Sequence, residues 1–168
     1  MWYNALWLVV VIIAAIFQTT WLEAAKVQGV MPDLTLLLVV YFAIADGEER
    51  AMYTGLIGGV YEDMAGKVVL GHHILCNVVV AYVVGRVATR LITEHPAVKV
   101  GLVFCASLAQ GTMFTAILAV QTPDVQALYT LGTSVVPTAF YTALITPFVF
   151  FGLARFFHRE AVLQGDIP

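Results

Sequence analysis

The feature that most constrains this chain is the stretch from Val100 to Ala154, in which Asp124 is the only charged residue. The whole sequence of 168 residues has a similar character, since 61% of it is hydrophobic and only 11% is charged. Soluble domains carry about 25% charged residues, so this chain has too few polar side chains to cover the surface of a globule. The sequence therefore predicts an integral membrane protein.

Charge, cysteine content and the N-terminal segment narrow the class further. The formal net charge is −3 and no basic run is present, so we expect no nucleic-acid partner. Cys76 and Cys105 both lie in long apolar stretches, which favours small buried side chains over a disulfide. Tyr3–Leu22 lacks a preceding basic region and is long for a cleaved signal, so we expect it to be retained as a first span.

Six segments are candidate membrane helices, given that a helix needs about 20 apolar residues to cross a bilayer. They are residues 3–22, 33–46, 51–64, 70–92, 98–120 and 134–157. Pro137 and Pro147 fall in the last segment, where neighbouring helices can compensate for the lost hydrogen bonds. The predicted fold is a single all-α domain of six transmembrane helices, the last of them kinked.

The second and third segments are short and are separated by the sequence DGEER, Asp46–Arg50. A re-entrant hairpin is one interpretation, but it places charged side chains near mid-membrane at about 2.5–3.5 kcal/mol each. Two short crossings with DGEER at the membrane surface avoid that cost. Each short helix must then tilt little, or the bilayer must be thinner beside it. We therefore expect two separate spans.

The distribution of cationic residues predicts the orientation of the six spans. One side of the membrane receives six of the eight, namely Arg50, Arg86, Arg90, Lys99, Arg155 and Arg159. Lys26 and Lys67 lie on the other side. Because Lys and Arg are enriched in cytoplasmic segments, both termini are expected in the cytoplasm. Arg86, Arg90, Arg155 and Arg159 are expected to anchor the helices at the inner headgroups.

The sequence GLIGGVYEDMAGKVVLG, Gly55–Gly71, combines small residues with two adjacent carboxylates. Gly55, Gly59 and Asp63 repeat every four residues and share one face of a helix. Glycines at this spacing let two helix backbones approach closely in a membrane. We expect the stripe to pack inside the bundle or, alternatively, to form a docking groove for a partner's helix.

Glu62 and Asp63 are expected where this helix reaches the outer surface. A carboxylate in an apolar helix is a functional candidate, but the glycines that follow favour a turn. In that interpretation Asp63 accepts hydrogen bonds from loop amides near Gly71 or pairs with Lys67. Asp63 is expected to matter more than Glu62, which points about 100° away on the helix.

Several motifs, taken in order, resemble the MreD family of bacterial rod shape-determining membrane proteins. The pattern of two glycines and an aspartate, each four residues apart, is accompanied by PDLTLLLVVYFAIADG, LGHHILCNVVVAYVVGR and VPTAFYTALITPFVFFGLAR. The resemblance covers residues 32–90 and 136–159. The matching positions are expected to be structural or to bind partners: Pro32, Asp33, Gly55, Gly59, Asp63, Gly66, Gly71, Tyr82, Pro137, Tyr141 and Pro147.

The resemblance implies a non-enzymatic scaffold of the cell-elongation machinery, which synthesises lateral peptidoglycan, in the bacterial cytoplasmic membrane. It implies binding to MreC, a single-span protein with a periplasmic domain, and to the assembly of MreB, RodA and a class B transpeptidase. It also implies a bundle related to the substrate-binding subunits of energy-coupling-factor vitamin transporters. It implies no cofactor.

The alternative function is that of such a transporter subunit, which captures a vitamin. Those subunits typically carry alanines four residues apart on the first helix, whereas Ala5, Ala14 and Ala15 have no such partners here. A binding pocket would also need convergent polar and aromatic groups. The missing alanine pair disfavours vitamin capture, whereas a single sequence does not show whether such groups converge.

A membrane enzyme is the third class considered. Glu62, Asp63, His72, His73 and Cys76 are the candidate reactive residues, but they form no zinc or nucleophile motif. Adjacent histidines also point about 100° apart on a helix. We therefore expect no catalytic or metal site, and both histidines are expected at the outer membrane interface.

Overall fold

The computed structural model describes residues 2–22, 30–65, 71–90, 95–121 and 127–163, and these residues form helices and no β-strand. Helix α1 is Trp2–Phe17 and continues as a π-helical turn, Gln18–Leu22. The next helices are α2 (Leu34–Ala45), α3 (Glu48–Ala65), α4 (His72–Ala88) and α5 (Pro96–Gln121). The last rod is continuous and comprises α6 (Ala127–Thr130), the π-helical Leu131–Val135 and α7 (Val136–Leu163).

Six helical rods thus follow the six predicted segments in order, which confirms the all-α part of the prediction. Among the described residues, two helices are long and apolar enough to cross a membrane by length and composition, Pro96–Gln121 and Leu128–Phe157. Three other helices are apolar but shorter. The last rod continues through Pro147. The count of six membrane crossings stays a prediction.

The boundary between α2 and α3 lies at Asp46 and Gly47. Gly47 has a φ of +91°, which a glycine adopts without the steric cost that other residues meet. α3 begins at Glu48, three residues before the predicted start, so Glu48 and Glu49 of DGEER occupy its first turn. Carboxylates there are stabilised by the positive end of the helix dipole.

Helix α2 forms the centre of the bundle. Its buried residues are Thr35, Leu36, Leu37, Leu38, Val39, Val40, Phe42 and Ala43. Because they point in all directions, α2 must be surrounded by protein, and it contacts α1, α3, α4, α5 and α7. Phe42 packs edge-on against Phe157, with ring centroids 5.4 Å apart. The 12-residue length of α2 is therefore compatible with a place inside the bundle.

The glycine stripe packs within the bundle. A Cβ atom on Gly55 would lie 2.9 Å from the carbonyl oxygen of Asn77, and one on Gly59 would lie 2.7 Å from the Cα atom of Ile74. α3 and α4 are therefore in backbone contact along this face, as small residues permit in membrane bundles. At Gly55 and Gly59 this face is occupied by α4, which is the arrangement that the internal-packing interpretation predicts.

The two ends of the bundle differ in chemistry. We call the end that carries Asp33, Glu62 and Asp63 the carboxylate end; α2 and α4 begin there. The opposite end, where α2 meets α3 and where α4 ends, is called the arginine end because it carries Arg50 and Arg86. Most of the polar contacts between helices lie at the carboxylate end, and the candidate site is therefore located there.

Candidate functional site

Asp63 caps helix α4 from a neighbouring helix. Its Oδ2 accepts a hydrogen bond from the backbone N–H of Gly71 (2.8 Å), and its Oδ1 accepts one from His73 (3.0 Å). A longer bond comes from the N–H of Ile74 (3.3 Å). These are among the N–H groups that a helix leaves without intrahelical partners. The expected tie between Asp63 and Gly71 is present, whereas Gly66 and Lys67 lie outside the described residues.

Glu62 has a different role from the one that the sequence suggested. It is buried, and its two carboxylate oxygens accept hydrogen bonds from Gln18 Nε2 (2.8 Å) and Asn77 Nδ2 (3.1 Å). His73 Nδ1 lies 3.5 Å from Glu62 Oε2. The expectation that Glu62 is the less important of the two carboxylates overlooked these contacts, because they come from helices distant in sequence.

A chain of side-chain amides extends from Glu62 in both directions. Gln18 Oε1 accepts hydrogen bonds from the N–H (2.8 Å) and the hydroxyl (3.2 Å) of Thr35. On the other side, Asn77 Oδ1 accepts a hydrogen bond from Gln110 Nε2 (2.6 Å). We call these five residues (Gln18, Thr35, Glu62, Asn77 and Gln110) the Glu62 network. It joins α2, α3, α4 and α5 to the π-helical turn that follows α1.

The donors and acceptors of the Glu62 network follow a fixed order. Gln18 Oε1 accepts from the backbone N–H of Thr35, so the NH2 group of Gln18 faces Glu62. Asn77 likewise turns its NH2 group towards the other oxygen of Glu62. Asn77 then presents its oxygen to Gln110, which must donate from its own NH2 group. The Oε1 atom of Gln110 is left as an acceptor, and no hydrogen bond to it forms within the described part of the chain.

Asp33 connects this network to α7. Its Oδ1 caps α2 by accepting a hydrogen bond from the N–H of Leu36 (2.8 Å), and Gln18 Nε2 lies 3.4 Å from the same oxygen. The backbone N–H of Asp33 donates to the hydroxyl of Thr142 (3.1 Å). Pro32, directly before it, is buried. Asp33 therefore fixes the start of α2 against two neighbouring segments.

A cavity of about 260 Å³ lies beside the network, bounded by α4, α5 and the last rod. Its lining residues are Asp33, His73, Cys76, Ser107, Gln110, Gly111, Phe114, Thr115, Thr130, Ser134, Val135 and Thr138. The ring of His73 lies against that of Phe114, with centroids 4.5 Å apart. Ser107 is 3% exposed, and its hydroxyl has no hydrogen-bond partner among the described residues. The cavity thus combines a mainly apolar wall with a few free polar groups.

The arrangement is suited to binding. The described ranges contain no group of three His, Cys, Asp or Glu side chains placed to hold a metal ion. The acidic groups that surround the cavity are already engaged in hydrogen bonds between helices. What the cavity offers is the free oxygen of Gln110, the hydroxyl of Ser107 and apolar contact. These groups can hold a polar segment that also carries an apolar part.

The histidines and cysteines depart in part from the sequence prediction. His72 is buried, with its ring 6.3 Å from that of Phe114, and His73 is only partly exposed. Both lie in the first turn of α4, at the carboxylate end, and their expected place at the outer membrane interface stays a prediction. Cys76 is buried and Cys105 is exposed, and both are free thiols, so the expectation of burial holds for Cys76 alone.

Tyr82 and Pro147 lie away from the carboxylate end. Pro137 and Tyr141 lie at that end of α7, because Thr138 lines the cavity and Thr142 bonds Asp33. Tyr82 is exposed on α4, with the guanidinium of Arg86 5.8 Å from its ring centre, and Pro147 is exposed on α7. Pro137 and Tyr141 are partly exposed on α7. Among the predicted anchors, Arg86, Arg90 and Arg155 are exposed, and the side chain of Arg159 lies outside the described residues.

Sequence reasoning missed Gln18, Asn77, Gln110 and Ser107. The available signal was the presence of amide side chains in otherwise apolar helices, where polar residues face the protein interior and bond across helices. Each amide is isolated in sequence, so no spacing rule connects them. Their convergence depends on the packing of separate helices.

The outside of the bundle defines the class of protein. The last rod alone exposes Phe140 (62%), Leu144 (69%), Phe148 (77%) and Phe151 (71%). A soluble monomer rarely exposes an apolar surface of this kind. Polar groups buried at the carboxylate end and apolar side chains on the outside are the arrangement of a helical membrane protein.

The chain belongs to the MreD family. The model of this family, described as rod shape-determining protein MreD, matches residues 2–159. This result confirms the resemblance inferred from the sequence motifs, and it makes the chain a member of a family of membrane proteins that determine rod shape. No curated protein and no solved structure matched the chain.

Proposed function

We propose that this protein is a non-enzymatic scaffold of the bacterial cell-elongation machinery, with six crossings of the cytoplasmic membrane and both termini in the cytoplasm. Membership of the MreD family supports the role in cell shape. The orientation is supported by the six-to-two distribution of cationic residues. In this orientation the arginine end faces the cytoplasm and the carboxylate end faces outwards.

The partner proposed for the outward-facing end is MreC. The resemblance implies that MreC has one span and a periplasmic domain. The chain of MreC must therefore leave the membrane on the same side as the carboxylate end. The observation that carries the proposal is the cavity beside the Glu62 network, with Ser107 and Gln110 at its wall. A segment of MreC next to its span is the proposed occupant.

Free polar groups in the cavity favour such a partner. The Oε1 atom of Gln110 accepts no hydrogen bond among the described residues, and a partner's backbone N–H could bond it. The hydroxyl of Ser107 can donate or accept. The apolar wall suits an apolar side chain from the same segment. Through MreC, the scaffold is proposed to join the assembly of MreB, RodA and the class B transpeptidase.

The Glu62 network supports a preformed cavity. It holds Asn77 and Gln110 in one hydrogen-bonded arrangement across α3, α4 and α5. A binding surface that is already ordered loses less conformational entropy when the partner binds. This is the reason why a scaffold would bury so many polar groups at one end of an apolar bundle.

The test is to fill the cavity without disturbing the rest of the bundle. Ser107→Phe places a ring at the cavity wall, and Thr112→Phe is the matched control because Thr112 is exposed on the same helix and does not line the cavity. We expect Ser107→Phe to abolish co-purification with MreC and Thr112→Phe to preserve it. Both variants should elute as folded protein in detergent.

A folded Ser107→Phe variant that still co-purifies with MreC would contradict the proposed site. If Ser107→Phe destabilises the bundle, Ser134→Phe tests the same cavity from the last rod, where the side chain is exposed. Loss of MreC from the Thr112→Phe variant would also contradict the proposal, because it would place the contact on another face of α5.

Vitamin capture is not proposed. The family model that matches the chain is that of a rod shape-determining protein, and it gives no support to a transport role. The relation of this bundle to transporter subunits stays a prediction, since no solved structure matched. Nanomolar binding of a water-soluble vitamin would reverse this choice.

A further inference from the structure

A second cavity of about 290 Å³ lies between α4 and α5, and its character differs from that of the first. The floor is formed by Val80, Val84 and Ala106, each 4% exposed. The rim on α4 is formed by Val79, Val83 and Val87, which are 40%, 51% and 39% exposed. The groove is therefore apolar and open to the outside of the bundle along α4. We call it the valine groove.

The length of the valine groove matches one leaflet of a bilayer. Its residues on α4 run from Val79 to Val87, a helical rise of about 12 Å at 1.5 Å per residue. The hydrocarbon core of a bilayer is about 30 Å thick, so one leaflet is about 15 Å deep. Because Val87 and Leu102 lie towards the arginine end, the groove occupies the half of the bundle nearest that end.

Two cationic residues lie next to the end of the groove. Arg90 is three residues beyond Val87, and its N–H donates to the Val87 carbonyl (3.0 Å). Lys99 is three residues before Leu102 in α5, a spacing that places both on one helix face. Arg90 is exposed and Lys99 is partly exposed. In the part of the chain that the structure describes, neither has an ion-pair partner.

Other cations at the arginine end are engaged differently. Arg50 lies 3.6 Å from Asp46, and Arg86 lies 3.8 Å from Glu48. Arg86 also lies over the ring of Tyr82. Arg90 and Lys99 are therefore available for an anionic group that comes from outside the chain.

We propose that the valine groove binds one acyl chain of an anionic phospholipid, whose phosphate is held by Arg90 and Lys99. A basic site between helices, continuous with an apolar groove of one-leaflet length, has the two properties that such a lipid requires. A lipid is favoured over a partner's helix because two cations without ion-pair partners in the described part of the chain lie at the end of the groove. The exposed rim on α4 is also formed by β-branched valines, whereas small residues, which helix-docking faces favour, are confined to the α5 side. The proposal depends on the membrane location and not on MreC.

The lipid retained by the purified protein tests the proposal directly. Native mass spectrometry of detergent-purified wild-type protein is expected to show one tightly bound anionic phospholipid. Each cation near an anionic membrane surface contributes about a fivefold gain in binding, so Arg90→Gln combined with Lys99→Gln should weaken phosphatidylglycerol binding by about 25-fold. Ala109→Phe, which fills the groove from its exposed α5 side, should remove the lipid while both cations are retained.

The control for charge alone is Arg155→Gln, since Arg155 is exposed on α7 and does not line the groove. It should leave lipid binding unchanged. A second measurement uses only the wild-type protein: phosphatidylglycerol should raise its melting temperature, whereas phosphatidylcholine and soluble glycerol phosphate should not.

Several results would overturn the proposal. Equal effects of phosphatidylglycerol and phosphatidylcholine would remove the role of Arg90 and Lys99. If Arg155→Gln loses as much lipid as the double variant, the lipid responds to general surface charge and not to a specific site. If Ala109→Phe keeps the lipid and instead loses a partner protein, the groove docks a helix.

Discussion

The carboxylate end and the arginine end use charged residues in opposite ways. At the carboxylate end, Glu62 and Asp63 are 8% and 2% exposed and accept hydrogen bonds from other helices. At the arginine end, the side chains of Arg86 and Glu48 are 64% and 44% exposed and lie 3.8 Å apart. Exposed ion pairs contribute about 0–1 kcal/mol, whereas an unsatisfied buried group costs about 1–3 kcal/mol.

This difference shows what each end can do. The buried carboxylates order the fold and the cavity beside them, so their replacement should affect the whole bundle. Arg90 and Lys99 at the arginine end have no ion-pair partner in the described part of the chain, so their replacement should affect lipid binding more than folding. The following predictions compare the two ends, and the free energy of unfolding in detergent is the common measure.

The largest effect is expected for Asp63→Leu. The substitution removes the acceptor for three backbone N–H groups, those of Gly71, His73 and Ile74. At about 1–3 kcal/mol for each stranded group, the loss should be about 3 kcal/mol or more. A leucine variant with wild-type stability would mean that these amides find other partners and that the cap is not important.

Asp63→Asn should fall between the wild type and the leucine variant. Asp63 uses both of its oxygens as acceptors, and an asparagine has only one. Its NH2 group would face a backbone donor, so we expect a loss of about 1–2 kcal/mol.

The next effect compares glycines from the two ends. A Cβ on Gly59 would lie 2.7 Å from Ile74 Cα, and one on Gly85 would lie 2.6 Å from Glu48 Cα. Gly59→Ala and Gly85→Ala should therefore each cost about 1–3 kcal/mol, because neither backbone can move away cheaply. Equal losses would show that α3 and α4 pack equally closely at both ends. A loss of stability for Gly59→Ala alone would show that the two helices pack more closely at the carboxylate end than at the arginine end.

The smallest difference is expected for two matched Glu→Gln changes. Glu62→Gln turns an NH2 group towards Gln18 or Asn77, which both donate to Glu62, and should cost about 1–2 kcal/mol. Glu48→Gln weakens only the exposed pair with Arg86 and should cost less than about 0.5 kcal/mol. Similar losses would remove the distinction between buried and exposed charges.

The features that could be predicted from the sequence are those that depend on residues close together along the chain. The tie between Asp63 and Gly71 could be inferred because the residues are eight apart and glycines favour a turn. The glycine stripe was recognisable from its four-residue spacing, but the choice between internal packing and partner docking required the position of α4. Helix order followed from the apolar segments.

The Glu62 network could not be predicted in the same way. Gln18 and Glu62 are 44 residues apart, and Asn77 and Gln110 are 33 apart. Their contacts depend on how several helices pack, and no local pattern specifies that packing. The exposure of Cys105 was misjudged for the same reason, since it depends on which face of α5 meets a neighbouring helix.

The direction in which the carboxylate end faces is the central claim, because the proposed MreC site requires it to lie outside the cytoplasm. A reporter enzyme that is active only outside the cytoplasm can be fused after Pro168 and, in a second version, after Thr122. We predict activity for the fusion after Thr122 and none for the fusion after Pro168. Activity after Pro168 without activity after Thr122 would contradict the orientation and, with it, the assignment of the cavity to MreC.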